Sequence, residues 1–555
     1  MAGLAASLGS GAMTNSIADI HQAEVILVTG SNTTEAHPVI SLEMKAAVRR
    51  YGAGLILIDP REIELAEFAS LHLRPRSGTD VALLNGIAHV LIAEKLVDRE
   101  FIESRTENFA DLEAAVADCT PQWAEVISGV AASQIEEAAR LYGGARSAAI
   151  FWAMGIKQSS HGVDNVQALA NLALLTGNFG RPGTGVNPLR GQNNVQGACD
   201  VGGLPNVLTG YQSVADAPVR AKFEEAWASP RPLPEVPGLT VTELMQAAIE
   251  GRVKALYIMG ENPLLSDPNL NHVAQAFQAL EFLVVQDIFL NETAERADVV
   301  LPGVSFAEKD GTYTNTERRV QRVRPALATR GAARRDLQII CDLGRRLSGS
   351  DGETPVVGRV RPVTDWAYPD ASSVWDEIAA LTPSLAGISY ARLDGDGLQW
   401  PCPAPNHDGT PILHREKFTR GLGRFMVVEF REPAESPDSE FPFLLNTGRI
   451  LQHWHGGTLS RRSVGLNELV PEVAIEINAE DAVALHIADG EAVRLTSRRG
   501  EVTGRARLTR RLPRGMIFMT FHFAENPANV LTGDAVDPVA KIPEYKVSAV
   551  RLERV

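Results

Sequence analysis

Cysteine is scarce in this sequence: Cys119, Cys199, Cys341 and Cys402 lie far apart, with no CxxC pair among them. That spacing excludes a zinc ribbon and a local iron–sulfur motif, and it points to a reducing compartment such as the cytoplasm. Positive charge is also in deficit, 53 Lys and Arg against 68 Asp and Glu, for a formal net charge of -15. No basic stripe offsets that acidity, so nucleic acid is excluded as a partner and any anionic ligand must be held by local groups. Apolar runs long enough to cross a bilayer are missing. The N-terminal stretch MAGLAASLGSGAMTNSIADI has neither the basic start nor the solid apolar core of a signal peptide. It reads as the middle of a domain, a Gly/Ala/Ser loop with Asn15 or Ser16 set to cap a helix. Neither of the two repeated strand–loop units described next carries GxGxxG, which argues against a plain NAD-type Rossmann site.

What is present is an ordinary globular composition, 45% hydrophobic and 22% charged, in a chain of 555 residues that is too long for one core. That length predicts roughly three to four domains. An apolar strand at 25–30 (VILVTG) runs into a polar turn, SNTTEAHP; a helical stretch leads to LILIDPRE at 55–62 and then to LHLRPRSGTD at 71–80. The same order returns at 255–267 (ALYIMGENPLLSD), 282–289 (FLVVQDIF) and 297–303 (ADVVLPG). Gly30 to Asp59 spans 29 positions and Gly260 to Asp287 spans 27; Asp59 to Pro75 spans 16 and Asp287 to Pro302 spans 15. Continuous apolar strands alternating with helices imply parallel sheets buried on both faces, with ligands at the carboxyl ends of the strands. An acid closing the second strand suits a ribose or a base edge. Each half alone also reads as a structural βαβ unit with turn glycines; the duplication suggests two nucleotides or one large two-headed cofactor.

A further strand and polar loop stand at 148–162 (AAIFWAMGIKQSSHG). From about 345 the texture turns to Pro, Gly and Asp with a few short helices such as SVWDEIAAL, a connecting or partner-facing region where Cys402 is a structural thiol. After Glu440 come the alternating strands of a small β-barrel, with a hairpin turn at 497–500 and an inserted helix starting at 478–482. His453 and His455 lie in a loop of that region without a suitably spaced third ligand and read as ordinary loop histidines. The expected fold class is α/β: two related parallel-sheet nucleotide-binding domains at 1–191 and 192–345, a connecting region at 346–430, and a C-terminal β-barrel domain at 431–555.

The stretch NPLRGQNNVQGACD at 187–200 matches neither a helix nor a strand pattern and concentrates glycines, side-chain amides and Arg190. With it, and with the shorter AMTNSIADI, GSNTTEAHP, DPRE, AMGIKQ, LLTGN, MGENP, VVQDIF, NTGR and KIPEYK, the chain resembles the catalytic alpha subunit of molybdenum- or tungsten-dependent formate dehydrogenases. These belong to the DMSO reductase superfamily of bis-molybdopterin guanine dinucleotide enzymes. The resemblance runs from Ala2 to the C-terminus; RGQNNVQGACD is its specific motif. It implies one metal between two pterin dithiolenes, each carrying a guanosine diphosphate tail in one of the two related domains. Asp59 and Asp287 would then suit guanine or ribose contacts. The loops carrying Gly30, Ser31 and Asn32, Gly78 and Asp80, Gly155 and Lys157, and Gly260 and Asn262 would line phosphates and pterins. Gln192, Asn194 and Asn526 look like pterin ligands, and Arg61, Gln286, Thr447, Arg449 and Lys546 join the expected cofactor-binding set. Backbone N–H nests bind phosphates without a basic surface, which reconciles this cofactor with the net charge. Arg190 corresponds to the arginine that holds formate beside the metal, a role that a planar guanidinium fork suits.

In the resembled family the metal-ligating cysteine or selenocysteine, its neighbouring histidine and a cluster-bearing domain precede the residues that match Ala2. They are expected upstream of this sequence, with the first part of the second domain, whose lack would leave apolar surface bare. No residue here is assigned to the metal. The resemblance thus implies an N-terminally truncated catalytic subunit of a cytoplasmic formate dehydrogenase. Formate and CO2 would be its substrate pair, iron–sulfur subunits with flavin or NAD its electron-transfer partners, and it would have no membrane span. Two alternatives stay open: another molybdopterin oxidoreductase such as a nitrate reductase, and a non-catalytic subunit that keeps the pterin fold. Turnover of formate against nitrate, and metal and guanine content, separate them.

Overall fold

The computed structural model describes residues 1–348 and 365–555; residues 349–364 of the connecting region lie outside the described residues. The chain forms two compact units. One comprises Met1–Gly191, Pro263–Ala274 and Ile412–Val555, the other Gln192–Asn262 and Gln275–Pro411.

In the first unit, β1 (Val25–Thr29), β2 (Gly54–Ile58), β3 (Leu71–Leu73), β4 (Ala148–Trp152) and β5 (Gly185–Pro188) make one sheet. Its order is β3-β2-β1-β4-β5 and every pairing is parallel. Side chains alternate across a strand, so Leu27, Ile56, Ile58 and Ile150 share a core with residues of helices Asp80–Ala93 and Gly162–Leu175. Ile26, Val28, Leu55, Leu57 and Phe151 share the opposite core with Ile40, Met44 and Ala47 of helix Pro38–Tyr51. Each such aliphatic side chain, fully buried, contributes about 1.5–3 kcal/mol, so the strand ends are held on a stiff base. The strand order reverses between β1 and β4, and a cleft opens at that reversal in open α/β sheets. The predicted N-terminal cap is Ser16, in a capping box with Asp19 at the start of the 3-10 turn Ile17–Gln22.

The second unit carries β6 (Ala255–Met259), β7 (Phe282–Asp287) and β8 (Val299–Pro302), parallel and in the order β8-β7-β6. Here the expectation of burial on both faces is corrected. Ile258, Leu283 and Val285 form a core with Ala294, whereas Tyr257, Met259 and Phe282 are 44%, 44% and 46% exposed. The run ALYIM is apolar throughout, but alternation still sends every second side chain to the open face.

Back in the first unit, β9 (Phe443–Gly448), β10 (Ala474–Asn478), β11 (Ala492–Thr496), β12 (Glu501–Thr509), β13 (Met516–Thr520) and β14 (Ser548–Arg554) close into a barrel in the order β9-β13-β10-β12-β11-β14. Leu445, Ile475, Ile477, Val493, Leu495, Ile517, Met519 and Leu552 fill its core. β11 and β12 are the predicted hairpin, and Asn478 caps the inserted helix Ala479–Ala484 by accepting from Glu480 N at 2.8 Å. The fold is thus mixed α/β with parallel sheets and a C-terminal closed barrel. Among the described residues no helix is long and apolar enough to cross a membrane.

Candidate active site

The carboxyl ends of the first sheet's strands converge on a cleft of about 1140 Å³, within the first unit. Gly30, Ser31 and Asn32 follow β1; Asp59 and Arg61 follow β2; Gly78 and Asp80 follow β3; Gly155 follows β4. The barrel supplies Thr447 and Arg449 from the end of β9, Phe518 from β13, and Lys546 just ahead of β14. Eleven of the sequence-predicted residues therefore line one space: Gly30, Ser31, Asn32, Asp59, Arg61, Gly78, Asp80, Gly155, Thr447, Arg449 and Lys546.

Two backbones meet at the strand reversal. Gly155 N donates to Gly30 O at 2.9 Å, and a Cβ on Gly30 would stand 2.6 Å from Ile156 N. Gly30 also has φ +53°, in the left-handed region that favours glycine. The sheet and the barrel are joined through Arg61, whose guanidinium lies 3.4 Å over the Phe518 ring and donates to Glu476 Oε2 at 3.2 Å. The segment bearing Lys546 is tied down by Glu544, 2% exposed, whose Oε1 accepts from Ser160 N at 2.9 Å and Ser160 Oγ at 2.8 Å. Lys546 Nζ donates to Thr447 O at 2.5 Å.

The cleft is cationic. Burial, with Arg190 and Arg449 adding like charge, pulls Lys157 down to about 7; burial, then Arg449, does the same to Lys546. Burial also lowers Arg449. The acids respond in the opposite direction: burial pushes Asp80 up to about 7 and raises Asp59, against the Arg61 N–H that donates to Asp59 Oδ1 at 2.9 Å.

Ser31 Oγ, Asn32 Oδ1, Thr33 Oγ1 and His37 Nδ1 are buried without a hydrogen-bond partner among the described residues. Buried polar atoms are normally satisfied, so this set, beside three buried cations and a glycine-lined floor, fits a large anionic group rich in donors and acceptors. A nucleotide-bearing pterin has that chemistry.

Arg190 and Lys157 flank the cleft rather than line it. Arg190 comes two residues after β5; its Nη2 donates to Gly11 O at 3.5 Å and its carbonyl accepts from His37 Nε2 at 2.7 Å. In the second unit Gly260 N donates to Gln286 O at 2.9 Å, which brings the ends of β6 and β7 together. Asp287 accepts from Ile288 N, Phe289 N and Asn291 Nδ2, and Asn262 bonds Glu292 and Thr293. Gln286 bonds Tyr257 and donates to Asp336 Oδ1 at 2.6 Å. Asn194, at φ +59°, accepts from Thr314 N at 2.9 Å; Gln192 is partly exposed. Asn526 does not line the first unit's cleft: in the amide orientation that satisfies its neighbours, its nitrogen donates to Thr503 O and Glu525 O at 3.0 and 3.2 Å.

Sequence reasoning passed over His37, Glu35, Phe518 and Phe521, all of which line the cleft. A histidine directly ahead of a proline in the SNTTEAHP turn was the available signal. His453 takes Val470 O and Ser460 Oγ on its two ring nitrogens, and no group of three or more potential metal ligands occurs among the described residues. Cys402 is buried and donates to His407 O at 3.2 Å.

A doubly wound sheet and a barrel sharing a cationic, glycine-floored cleft define a protein that binds a large nucleotide-bearing anion. Residues 4–346 match the molybdopterin oxidoreductase family and residues 443–549 the molybdopterin dinucleotide binding domain, and the chain belongs to that family of oxidoreductases. It is 49% identical over 555 residues to the F420-dependent formate dehydrogenase subunit alpha of Methanocaldococcus jannaschii, covering all of this chain and 80% of that one. It is 39% identical over 559 residues to formate dehydrogenase H of Escherichia coli, covering all of this chain and 76% of the relative. Acetylene hydratase from Pelobacter acetylenicus shares the fold at a TM-score of 0.77 with 18% identity, over all of this chain and 80% of that structure.

Proposed function

We propose that the protein oxidises formate to CO2, releasing one proton and two electrons, and that Arg190 binds the formate carboxylate. One observation carries the reading: the backbone of Arg190 is pinned at the carboxyl end of the sheet, in a buried neighbourhood where Lys157 is flanked by two guanidinium groups. Cations desolvated together are stable only opposite an anion. Relatives at 49% and 39% identity along the whole chain carry the formate dehydrogenase name. A bis-molybdopterin guanine dinucleotide with molybdenum or tungsten supplies, when bound, the two-electron acceptor. Within the first unit Ser31, Asn32, Thr447, Arg449 and Lys546 would hold it, and within the second Gly260, Asn262, Gln286 and Asp287 suit a nucleotide. Arg190 orients the substrate, its fork matching both carboxylate oxygens. The electrons pass to iron–sulfur-bearing partners in the cytoplasm.

The test replaces Arg190. Arg190→Ala raises the KM for formate about 10- to 100-fold, the equivalent of one lost charged hydrogen-bonding pair, and lowers turnover. Arg190→Lys recovers little of it, because a lysine keeps the charge without the fork. Pterin content stays near normal in both. A formate KM unchanged in Arg190→Ala overturns the assignment, and nitrate turnover in place of formate turnover overturns the substrate.

A further inference from the structure

Two side chains and two carbonyls around Arg190 form an arrangement that the proposed reaction leaves unexplained. The carbonyls of Leu189 and Arg190 are consecutive, and each is held from a different segment: Lys157 Nζ donates to Leu189 O at 3.4 Å and His37 Nε2 lies 2.7 Å from Arg190 O. Lys157 ends the short helix Met154–Lys157 that follows β4, and His37 stands between the short helix Thr33–Ala36 that follows β1 and helix Pro38–Tyr51. The arginine's backbone is therefore clamped by segments that follow the two strands where the sheet order reverses.

The ring of His37 has a fixed tautomer. A carbonyl oxygen only accepts, so Nε2 carries the proton and Nδ1 keeps a bare lone pair. Burial above all, with the Lys157 and Arg449 cations adding, pulls the ring's pKa down to about 4, so it is neutral across the physiological range. Nδ1 is buried, without a partner among the described residues, and His37 lines the cleft. A buried acceptor left bare in a site lined by backbone amides and cations is an acceptor waiting for a donor.

We propose that His37 is a positioning residue with two separate contacts: its Nε2–H fixes the Arg190 backbone, and its Nδ1 accepts a hydrogen bond from an N–H or O–H of the group bound in the cleft. The inference rests on the reading of Arg190 as the carboxylate-binding residue. The clamp itself concerns only the loop, so the two fail separately.

The two ring nitrogens are separable by substitution. Glutamine places an amide where Nε2 stood and asparagine places one where Nδ1 stood. In the holoenzyme, His37→Gln keeps the formate KM within about twofold and lowers retained pterin, measured as oxidised-pterin fluorescence per chain. His37→Asn keeps the pterin but raises the formate KM about five- to tenfold, the scale of one lost hydrogen bond and a displaced binding group. Hydrogen exchange of the peptide spanning 186–195, read by mass spectrometry, is slow in wild type and His37→Gln and fast in His37→Asn. Equal exchange in the two variants overturns the clamp, and equal pterin retention overturns the Nδ1 contact. Should His37→Asn be poorly folded throughout, exchange of the 25–29 strand rises with that of 186–195, and this outcome also overturns the proposal by making His37 merely structural. If the exchange pattern holds while Arg190→Ala leaves the KM unchanged, the clamp stands and the role of Arg190 falls.

Discussion

Alanine at Gly30 is the sharpest probe of the strand reversal, because a matched control exists in the same unit. Gly30 and Gly52 both occupy left-handed backbone, at φ +53° and +76°. A side chain there costs about 1–2 kcal/mol at either position. The surroundings differ. A Cβ on Gly30 would meet Ile156 N at 2.6 Å and the Gly155 carbonyl carbon at 2.9 Å, both backbone atoms, whereas a Cβ on Gly52 meets nothing within 4 Å. Overpacking against atoms that cannot swing aside adds about 1–3 kcal/mol, and stretching the Gly155 N to Gly30 O bond adds about 1 kcal/mol. Gly30→Ala should therefore cost about 2–4 kcal/mol more than Gly52→Ala. The measurement is thermal unfolding of the purified variants with pterin content per chain. Gly52→Ala lowers the midpoint slightly and keeps its cofactor; Gly30→Ala lowers it further and loses cofactor, because the loops that floor the cleft are forced apart. Gly155→Ala should copy Gly30→Ala, since its Cβ would lie 2.6 Å from Gly30 Cα. Equal midpoints for the alanines at positions 30 and 52, with full pterin in both, would refute the claim that this contact builds the cleft.

Three further outcomes follow from the same geometry. Lys157, fully desolvated with a native value near 7, binds fewer protons folded than unfolded between about 7 and its ordinary 10.5, so empty protein gains stability across that window as pH rises. Lys157→Met should raise the midpoint of cofactor-free protein at pH 6 and lose its advantage by pH 10; an advantage that grows with pH contradicts the sign. Asp80, pushed up to about 7 by burial, binds more protons folded than unfolded between about 4 and 7, so stability falls with pH through that range and is flat above it. Asp80→Asn should flatten that slope and be the more stable form at pH 8, as denaturant titration at several pH values would show. In the second unit, Asp200 accepts from Trp400 Nε1 at 2.6 Å, Gln196 Nε2 at 2.7 Å and Tyr211 OH at 2.8 Å. Asp200→Ala removes the acceptor that these three donors share and should cost about 2–4 kcal/mol in unfolding experiments, with Asp200→Asn recovering part of it; a neutral alanine would show the network to be dispensable.

Much of the frame was legible because of what parallel, doubly covered strands require. VILV, LILI and AAIFW are apolar throughout since both faces are buried, and strand, glycine and acid recur at nearly equal spacing in the two halves. The barrel declared itself by alternation. What escaped were pairings across long stretches of chain. Arg61 was expected to bind the cofactor, but its partners Glu476 and Phe518 lie more than 400 positions away, and nothing local to DPRE names them. His37 sat inside a turn whose polarity explained itself. Which side chains of the second sheet lie bare was hidden for a related reason, because ALYIM looks the same whether one face or two is covered; only alternation in space divides Ile258 from Met259.

A chain of net charge -15 has no long-range field to attract an anion, yet Lys157, Lys546 and Arg449 are buried around one cleft. Their desolvation opposes folding of the empty protein, and an anion that neutralises them returns that cost as binding free energy. Loading and folding are thus linked through the same three groups. With an anion in the cleft, both lysines regain a counter-charge and their native values move back toward the ordinary lysine range. The pH window between about 7 and 10.5, in which empty protein gains stability, should then close on loading. A loaded protein whose stability still rises through that window would mean that the anion does not lie against Lys157 and Lys546, and the cleft's cations would need another explanation.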